Sequence, residues 1–122
     1  MTLKTVIEGS NPTTIALDGR LDTHTAPELD KALDGVLARP GISRLVFDLS
    51  RLEYLSSAGI RCFVRARKAI EPKGGKVAIV NAQPGVRKVL EIVKAMPGGI
   101  FASIKELDAY LDVMQRKVRD PD

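Results

Sequence analysis

The sequence predicts a single α/β domain, in which a mixed, mostly parallel β-sheet with an N-terminal antiparallel hairpin is packed by about four helices. Short apolar runs typical of buried strands alternate with segments that are apolar at helical spacing, and turn residues separate them. The 122 residues, 44% of them hydrophobic and 28% charged, have the length and composition of one globular unit. We expect one domain over residues 1–118 and a short C-terminal tail at 119–122.

The first third of the chain contains a predicted hairpin followed by a helix. Residues 3–7 and 13–17 are strand-like, and the turn residues Gly9-Ser10-Asn11-Pro12 separate them. A capping box, Thr-x-x-Glu, begins at Thr25 and predicts the start of the first helix, with the Thr25 hydroxyl accepting from a first-turn amide. Arg39-Pro40-Gly41 is expected to end this helix.

Strand and helix alternate through the rest of the chain, which predicts parallel strands joined by right-handed crossovers. A short loop is expected between the first of these strands and Ser56-Ser57, where the next helix begins. The predicted elements are, in order, a strand at 45–47, a helix at 57–70, a strand at 77–80, a helix beginning at Pro84, a short strand at 100–101 and a last helix capped by Ser103.

The charge pattern and the apolar runs limit the partners of the protein. Residues 61–94 hold nine Lys and Arg against two Glu, a local charge of +7 within a net +4. With no Trp, five Tyr and Phe and no recognition motif, this stretch is expected to be a solvated face that does not bind nucleic acid directly. No apolar run approaches the roughly 20 residues of a membrane span. No hydrophobic signal segment follows Met1, so we expect a cytoplasmic protein.

Enzyme signatures are sparse, and we expect no catalytic residue, cofactor or metal. The sequence has no phosphate-binding glycine loop and no His/Cys cluster with metal-ligand spacing. A hydrolase using Ser57 and His24 is the weaker alternative, because the segment lacks the first glycine of the Gly-x-Ser-x-Gly elbow. Cys62 is interpreted as a small residue filling a gap between helix and sheet, not as a reactive thiol.

The most informative position is Ser57, at the start of the predicted 57–70 helix. Serine there has a structural role as a helix cap. The first-turn amides and the helix dipole also favour an anion, so a phosphoserine would be tolerated. At 100° per residue, Ser57 heads a stripe with Arg61, Arg65 and Lys68. This stripe is expected to be an exposed basic ridge, which is either solvated surface or a docking face.

The residues around Ser57 resemble a known family. Asp48-Leu49-Ser50, followed by Tyr54-Leu55-Ser56-Ser57-Ala58-Gly59-Ile60, resembles the phosphorylation-site motif of STAS domains, the bacterial anti-sigma factor antagonists. Leu17-Asp18-Gly19-Arg20-Leu21-Asp22, followed by Ala26, resembles the family's second-strand signature. The resemblance implies a non-enzymatic protein that binds a serine kinase acting as an anti-sigma factor. The kinase phosphorylates the antagonist with ATP, the complex separates, and a phosphatase resets the switch.

The resemblance also implies a set of site residues. It places the phosphoacceptor at Ser57, with Asp22 as an acidic residue near it. The family often has Asp before the acceptor and Ser or Thr after it, where this chain has Ser56 and Ala58, so Ser56 is an alternative acceptor. A second interpretation gives the same fold to a subunit of a larger cytoplasmic assembly for lipid transport or stress sensing, with Ser57 only capping. The expected partner-binding residues are Asp22, Ser56, Ser57, Arg61, Arg65 and Lys68.

Overall fold

The computed structural model describes residues 3–95 and Gln115. Their four strands form one sheet in the order β1-β2-β3-β4. β1 and β2 are antiparallel, whereas β3 runs parallel to both β2 and β4. This confirms the predicted mixed, mostly parallel sheet with its N-terminal hairpin. The strands are β1 (Leu3–Glu8), β2 (Thr13–Leu21), β3 (Arg44–Leu55) and β4 (Lys76–Val80).

Three helices accompany the sheet within the described residues: α1 (Ala26–Leu37), α2 (Ser57–Ile70) and α3 (Pro84–Ala95). Alternate residues of β2 and β3 are buried together with the apolar stripes of α1 and α2, which gives one core. None of the described helices has the length and hydropathy that crossing a membrane requires. The predicted strand at 100–101, the tail at 119–122 and, apart from the helical Gln115, the last helix lie outside the described residues.

β3 is far longer than the strand predicted at 45–47, and the loop expected after it is wrong. The strand runs for 12 residues to Leu55. Leu49, Leu52 and Leu55 are buried, so apolar burial continues to the end of the strand. Pairing with β2 also continues to the end, with register shifts after Ala16 and Gly19. These bulges break the strict alternation by which a strand is recognised in a sequence.

Two glutamine side chains complete the edge of β3 that β4 leaves unpaired. β4 pairs with β3 only as far as Val80. Further along, the Gln83 amide donates to the Ser50 carbonyl at 2.9 Å. The Leu55 N–H donates to Gln115 Oε1 at 2.8 Å, and Gln115 Nε2 donates back to the Leu55 carbonyl at 3.0 Å. The backbone groups of Leu55 are buried and require such partners. At these two positions the glutamine amides take the place of a neighbouring strand.

Candidate functional site

The candidate residues converge where β2 and β3 end side by side. The two strands are parallel, and their last residues, Leu21 and Leu55, are paired. The Ser56 N–H donates to the Leu21 carbonyl at 2.9 Å, which carries the pairing one residue beyond β3. Asp22 follows directly after Leu21. The loop into α1 and the start of α2 therefore meet at the carboxyl edge of the sheet, where parallel sheets commonly place their ligand sites.

Asp22 organises the loop between β2 and α1. Its Oδ1 accepts from the backbone N–H of His24 at 2.9 Å and of Thr25 at 3.0 Å. Partial burial raises the pKa of the Asp22 carboxyl, but the N–H groups of Thr25 and His24 lower it by more, so the pKa lies below its ordinary value of 3.8. The carboxylate is thus charged at neutral pH and already engaged by its own loop.

The predicted capping role of the Thr25 side chain is wrong. Thr25 occupies the N-cap position of α1, but its hydroxyl makes no bond to the helix amides. It donates instead to the Arg20 carbonyl at 2.7 Å and accepts from the Asp22 N–H at 2.9 Å. The residue has helical dihedral angles, φ −99° and ψ −18°, not the extended conformation that aims a capping hydroxyl at the helix. The Thr25 hydroxyl therefore closes the loop.

An arginine and a tyrosine that the sequence did not single out also lie at this edge. The guanidinium of Arg20 is 4.0 Å from the centroid of the Tyr54 ring. Arg20 Nε is also 4.0 Å from Asp22 Oδ2. The pair joins the ends of β2 and β3 by a cation–π contact. The signal was present in the sequence, because Arg20 lies within the second-strand signature and Tyr54 within the serine-containing motif.

Both candidate serines are buried at the start of α2. Ser56 is the N-cap residue, with an extended backbone, and is 3% exposed; Ser57 is the first helical residue and is 6% exposed. The expected exposure of Ser57 at the head of a basic ridge is therefore wrong. Gly59 explains the burial, since a Cβ there would lie 2.5 Å from Leu21 Cγ and 2.7 Å from Leu55 Cδ1. Without a side chain, the first turn of α2 packs directly on the strand ends.

The basic stripe divides into two kinds of residue. Arg65 Nη1 lies 3.1 Å from Asp30 Oδ1, and its other terminal nitrogen contacts Asp34, so this side chain ties α2 to α1. Arg65 is exposed, so its role in partner binding stays a prediction, and a partner would meet this side chain already paired with two aspartates. Arg61 and Lys68 are exposed on α2. Neither of them forms an ion pair with another described residue, so their charges are less compensated than that of Arg65.

His24 and Cys62 lie outside any catalytic arrangement in the described structure. His24 is exposed, and its backbone N–H donates to Asp22, whereas Ser57 is buried and does not present an accessible nucleophile. Cys62 Sγ lies 3.5 Å from the Ala58 carbonyl and 3.4 Å from Asp30 Oδ1, in the gap between α1 and α2. Burial and the nearby Asp30 charge raise the pKa of this thiol to about 12. Cys62 is a buried packing residue, as predicted, but the predicted gap between helix and sheet is wrong, because the sulfur contacts two helices.

Comparisons with known proteins cover most of the chain. The model of the STAS domain family matches residues 4–107. The anti-sigma F factor antagonist of Paenibacillus polymyxa is 29% identical over 86 residues, which are 68% of this chain and 74% of that protein. The crystal structure of an anti-sigma factor antagonist from Mycobacterium paratuberculosis superposes with a TM-score of 0.67 at 25% identity, covering 97% of this chain and 95% of that one. The phosphorylated form of the Bacillus cell fate determinant SpoIIAA shares the fold, with a TM-score of 0.59 at 20% identity over 75% of this chain and 82% of that one.

Proposed function

Because the chain belongs to the STAS domain family, we propose that it is a cytoplasmic anti-sigma factor antagonist whose binding is switched by phosphorylation at Ser57. In this cycle it binds a serine kinase that acts as an anti-sigma factor, which releases the sigma factor. The kinase then phosphorylates Ser57 with ATP and dissociates, and a phosphatase restores the binding form. The observation that carries the proposal is the position of Ser57 as the first residue of α2, beside the loop that Asp22 organises.

The start of α2 is suited to a phosphoserine on electrostatic grounds. The first amides of a helix and its dipole favour negative charge, and α2 has no acidic residue in its first turn. A phosphate adds about −1.5 to −2 charges. The exposed Arg61 lies one turn further along α2 and can attract this charge. We therefore expect the fold to survive phosphorylation.

The same charge accounts for release of the partner. A protein docked on the carboxyl edge of the sheet would have to desolvate or pair a nearly dianionic group that the free serine does not carry. Attraction of the phosphate to Arg61 would also remove a cation that the partner contacts. The switch thus acts through the partner-binding region, for which we propose the two buried serines, Ser56 and Ser57, together with Asp22, Arg61, Arg65 and Lys68.

Three variants test the assignment with the cognate kinase and Mg-ATP. Ser57→Ala should bind the kinase and resist release, and Ser57→Asp should bind weakly even without ATP. Ser56→Ala is the matched control, because it removes the neighbouring hydroxyl and should leave phosphorylation largely intact. Mass spectrometry should find one phosphate, on Ser57. A phosphate on Ser56, or none with a kinase that binds tightly, would contradict the proposal.

A further inference from the structure

We propose that Gln115 is a positioning residue that controls the access of a kinase to Ser57. The inference rests on the proposed function, in which Ser57 is the phosphoacceptor. Gln115 is 3% exposed, and its amide bonds both the N–H and the carbonyl of Leu55, 60 positions earlier in the chain. Leu55 is the last residue of β3 and lies two residues before Ser57.

The end of β3 is held from both sides. On the side of β2, the Ser56 N–H donates to the Leu21 carbonyl. Successive residues of a strand direct their backbone groups to opposite neighbours, so the N–H and carbonyl of Leu55 face away from β2. Gln115 occupies that side, where β4 has already ended at Val80. The junction that carries Ser56 and Ser57 is therefore restrained by one strand and one side chain.

Ser57 can accept a phosphoryl group only when the hydrogen bonds that hold the junction between β3 and α2 open. The attacking hydroxyl must approach the γ-phosphate in line, and a serine that is 6% exposed does not present its oxygen to a bound nucleotide. The strand–helix junction must move outward for Ser57 to react. Two hydrogen bonds from Gln115 oppose that movement, so the fraction of molecules with an accessible Ser57 depends on whether this amide is bound.

The test compares two glutamines that serve the same strand edge. Gln115→Met keeps the length of the side chain and removes both bonds to Leu55. Gln83→Met is the matched control, because it removes the bond to the Ser50 carbonyl, well before the junction. Without kinase, native-state hydrogen exchange at the amides of Ser56 and Ile60, which donate to the Leu21 and Ser56 carbonyls, should accelerate about tenfold in Gln115→Met, relative to core amides of β2. Gln83→Met should leave this ratio unchanged.

The second measurement is the rate of Ser57 phosphorylation at limiting kinase, which should rise by a similar factor in Gln115→Met and not in Gln83→Met. Gln115→Asn keeps the amide but shortens its reach, so it should act in the same direction. It replaces Gln115→Met in the test if that variant folds poorly. Unchanged exchange at Ser56 and Ile60, an equal effect of Gln83→Met, or faster exchange without faster phosphorylation would each overturn the inference. Faster exchange in a protein that no kinase phosphorylates would leave Gln115 as a restraint on the junction and contradict the proposed function instead.

Discussion

At the scale of single residues, the loop before α1 depends on one buried hydroxyl. The side chain of Thr25 connects the Arg20 carbonyl to the Asp22 N–H, and these two backbone groups belong to the end of β2 and to the loop. Thr25 itself is 3% exposed, so water does not readily replace it. The hydroxyl therefore fixes the approach of the loop to the candidate site.

Exchanging Thr25 for valine separates this bonding role from packing. Thr25→Val keeps the shape of the side chain but leaves a partly buried carbonyl and a partly buried N–H without their partner, which should lower the free energy of unfolding by about 1 kcal/mol or more. Thr25→Ser keeps the hydroxyl and should cost less than Thr25→Val. Urea unfolding measures both values. Equal stabilities of the two variants would show that the hydroxyl bonds contribute little.

The carboxylate of Asp22 should make stability depend on acid pH. Its pKa in the folded protein lies below 3.8, so its contribution is complete above that pH and is lost as the pH falls through the lower folded value. Asp22→Asn should therefore be less stable than the wild type at pH 6, and the difference should shrink below about pH 3.8. Asp48 also has a lowered pKa, mainly through the Ser50 N–H, so part of the acid sensitivity will remain.

Urea unfolding between pH 2.5 and 6 checks this expectation. Glu53→Gln is a suitable control, because it removes one carboxylate from an exposed position of β3. A stability difference between Asp22→Asn and the wild type that stays constant over the whole range would contradict the assigned cause.

At the scale of elements, the contact of α2 with the sheet depends on the absence of a side chain at Gly59. Gly35, in α1, offers the matched comparison, because a Cβ built there meets nothing within 4 Å. We expect Gly59→Ala to destabilise the protein by about 1–3 kcal/mol through overpacking against Leu21 and Leu55. Gly35→Ala should stabilise it by up to about 1 kcal/mol through helix propensity. Thermal or urea unfolding of the two variants checks the opposite signs.

Helices and strands that are marked by nearby capping, turn or proline residues could be predicted from the sequence. Contacts between separate helices and strands could not. The bounds of α2 agree with the prediction of 57–70, because serines begin the helix and Pro72 follows its end. β3 was underestimated because polar residues and bulges interrupt its apolar pattern. The ion pairs of Arg65 with α1 are invisible in the spacing of α2 alone. Gln115 contacts Leu55 across 60 positions, and no local pattern reports such a distance.

At the scale of the whole molecule, the charge of residues 61–94 acts on an approaching partner before the two proteins are in contact. Nine basic residues against two acidic ones give this stretch a positive field, which is partly offset by the ion pairs of Arg65 with α1 and of Arg67 with Glu71. Such a field accelerates association with an acidic face and weakens as salt is added. Within this field, Arg61 is exposed and Arg65 is held by two aspartates of α1. The two arginines should therefore respond differently to charge reversal.

Arg61→Glu should slow association with the kinase roughly tenfold at low salt and leave the melting temperature nearly unchanged. Arg65→Glu, in contrast, should lower the free energy of unfolding by about 1 kcal/mol, because it places a third carboxylate beside Asp30 and Asp34. Stopped-flow binding at two salt concentrations, with thermal unfolding of both variants, distinguishes the two effects. An association rate of Arg61→Glu equal to that of the wild type would mean that Arg61 faces away from the partner.

The buried thiol of Cys62 can report the separation of α1 from α2. It is the single cysteine of the chain, and its sulfur lies between α1 and α2 with a pKa of about 12. A thiol reagent in neutral buffer should therefore label the protein only when these two helices separate. The labelling rate of the wild-type chain then measures how often α1 and α2 separate. A lower labelling rate in the presence of a partner would show that binding holds the two helices together.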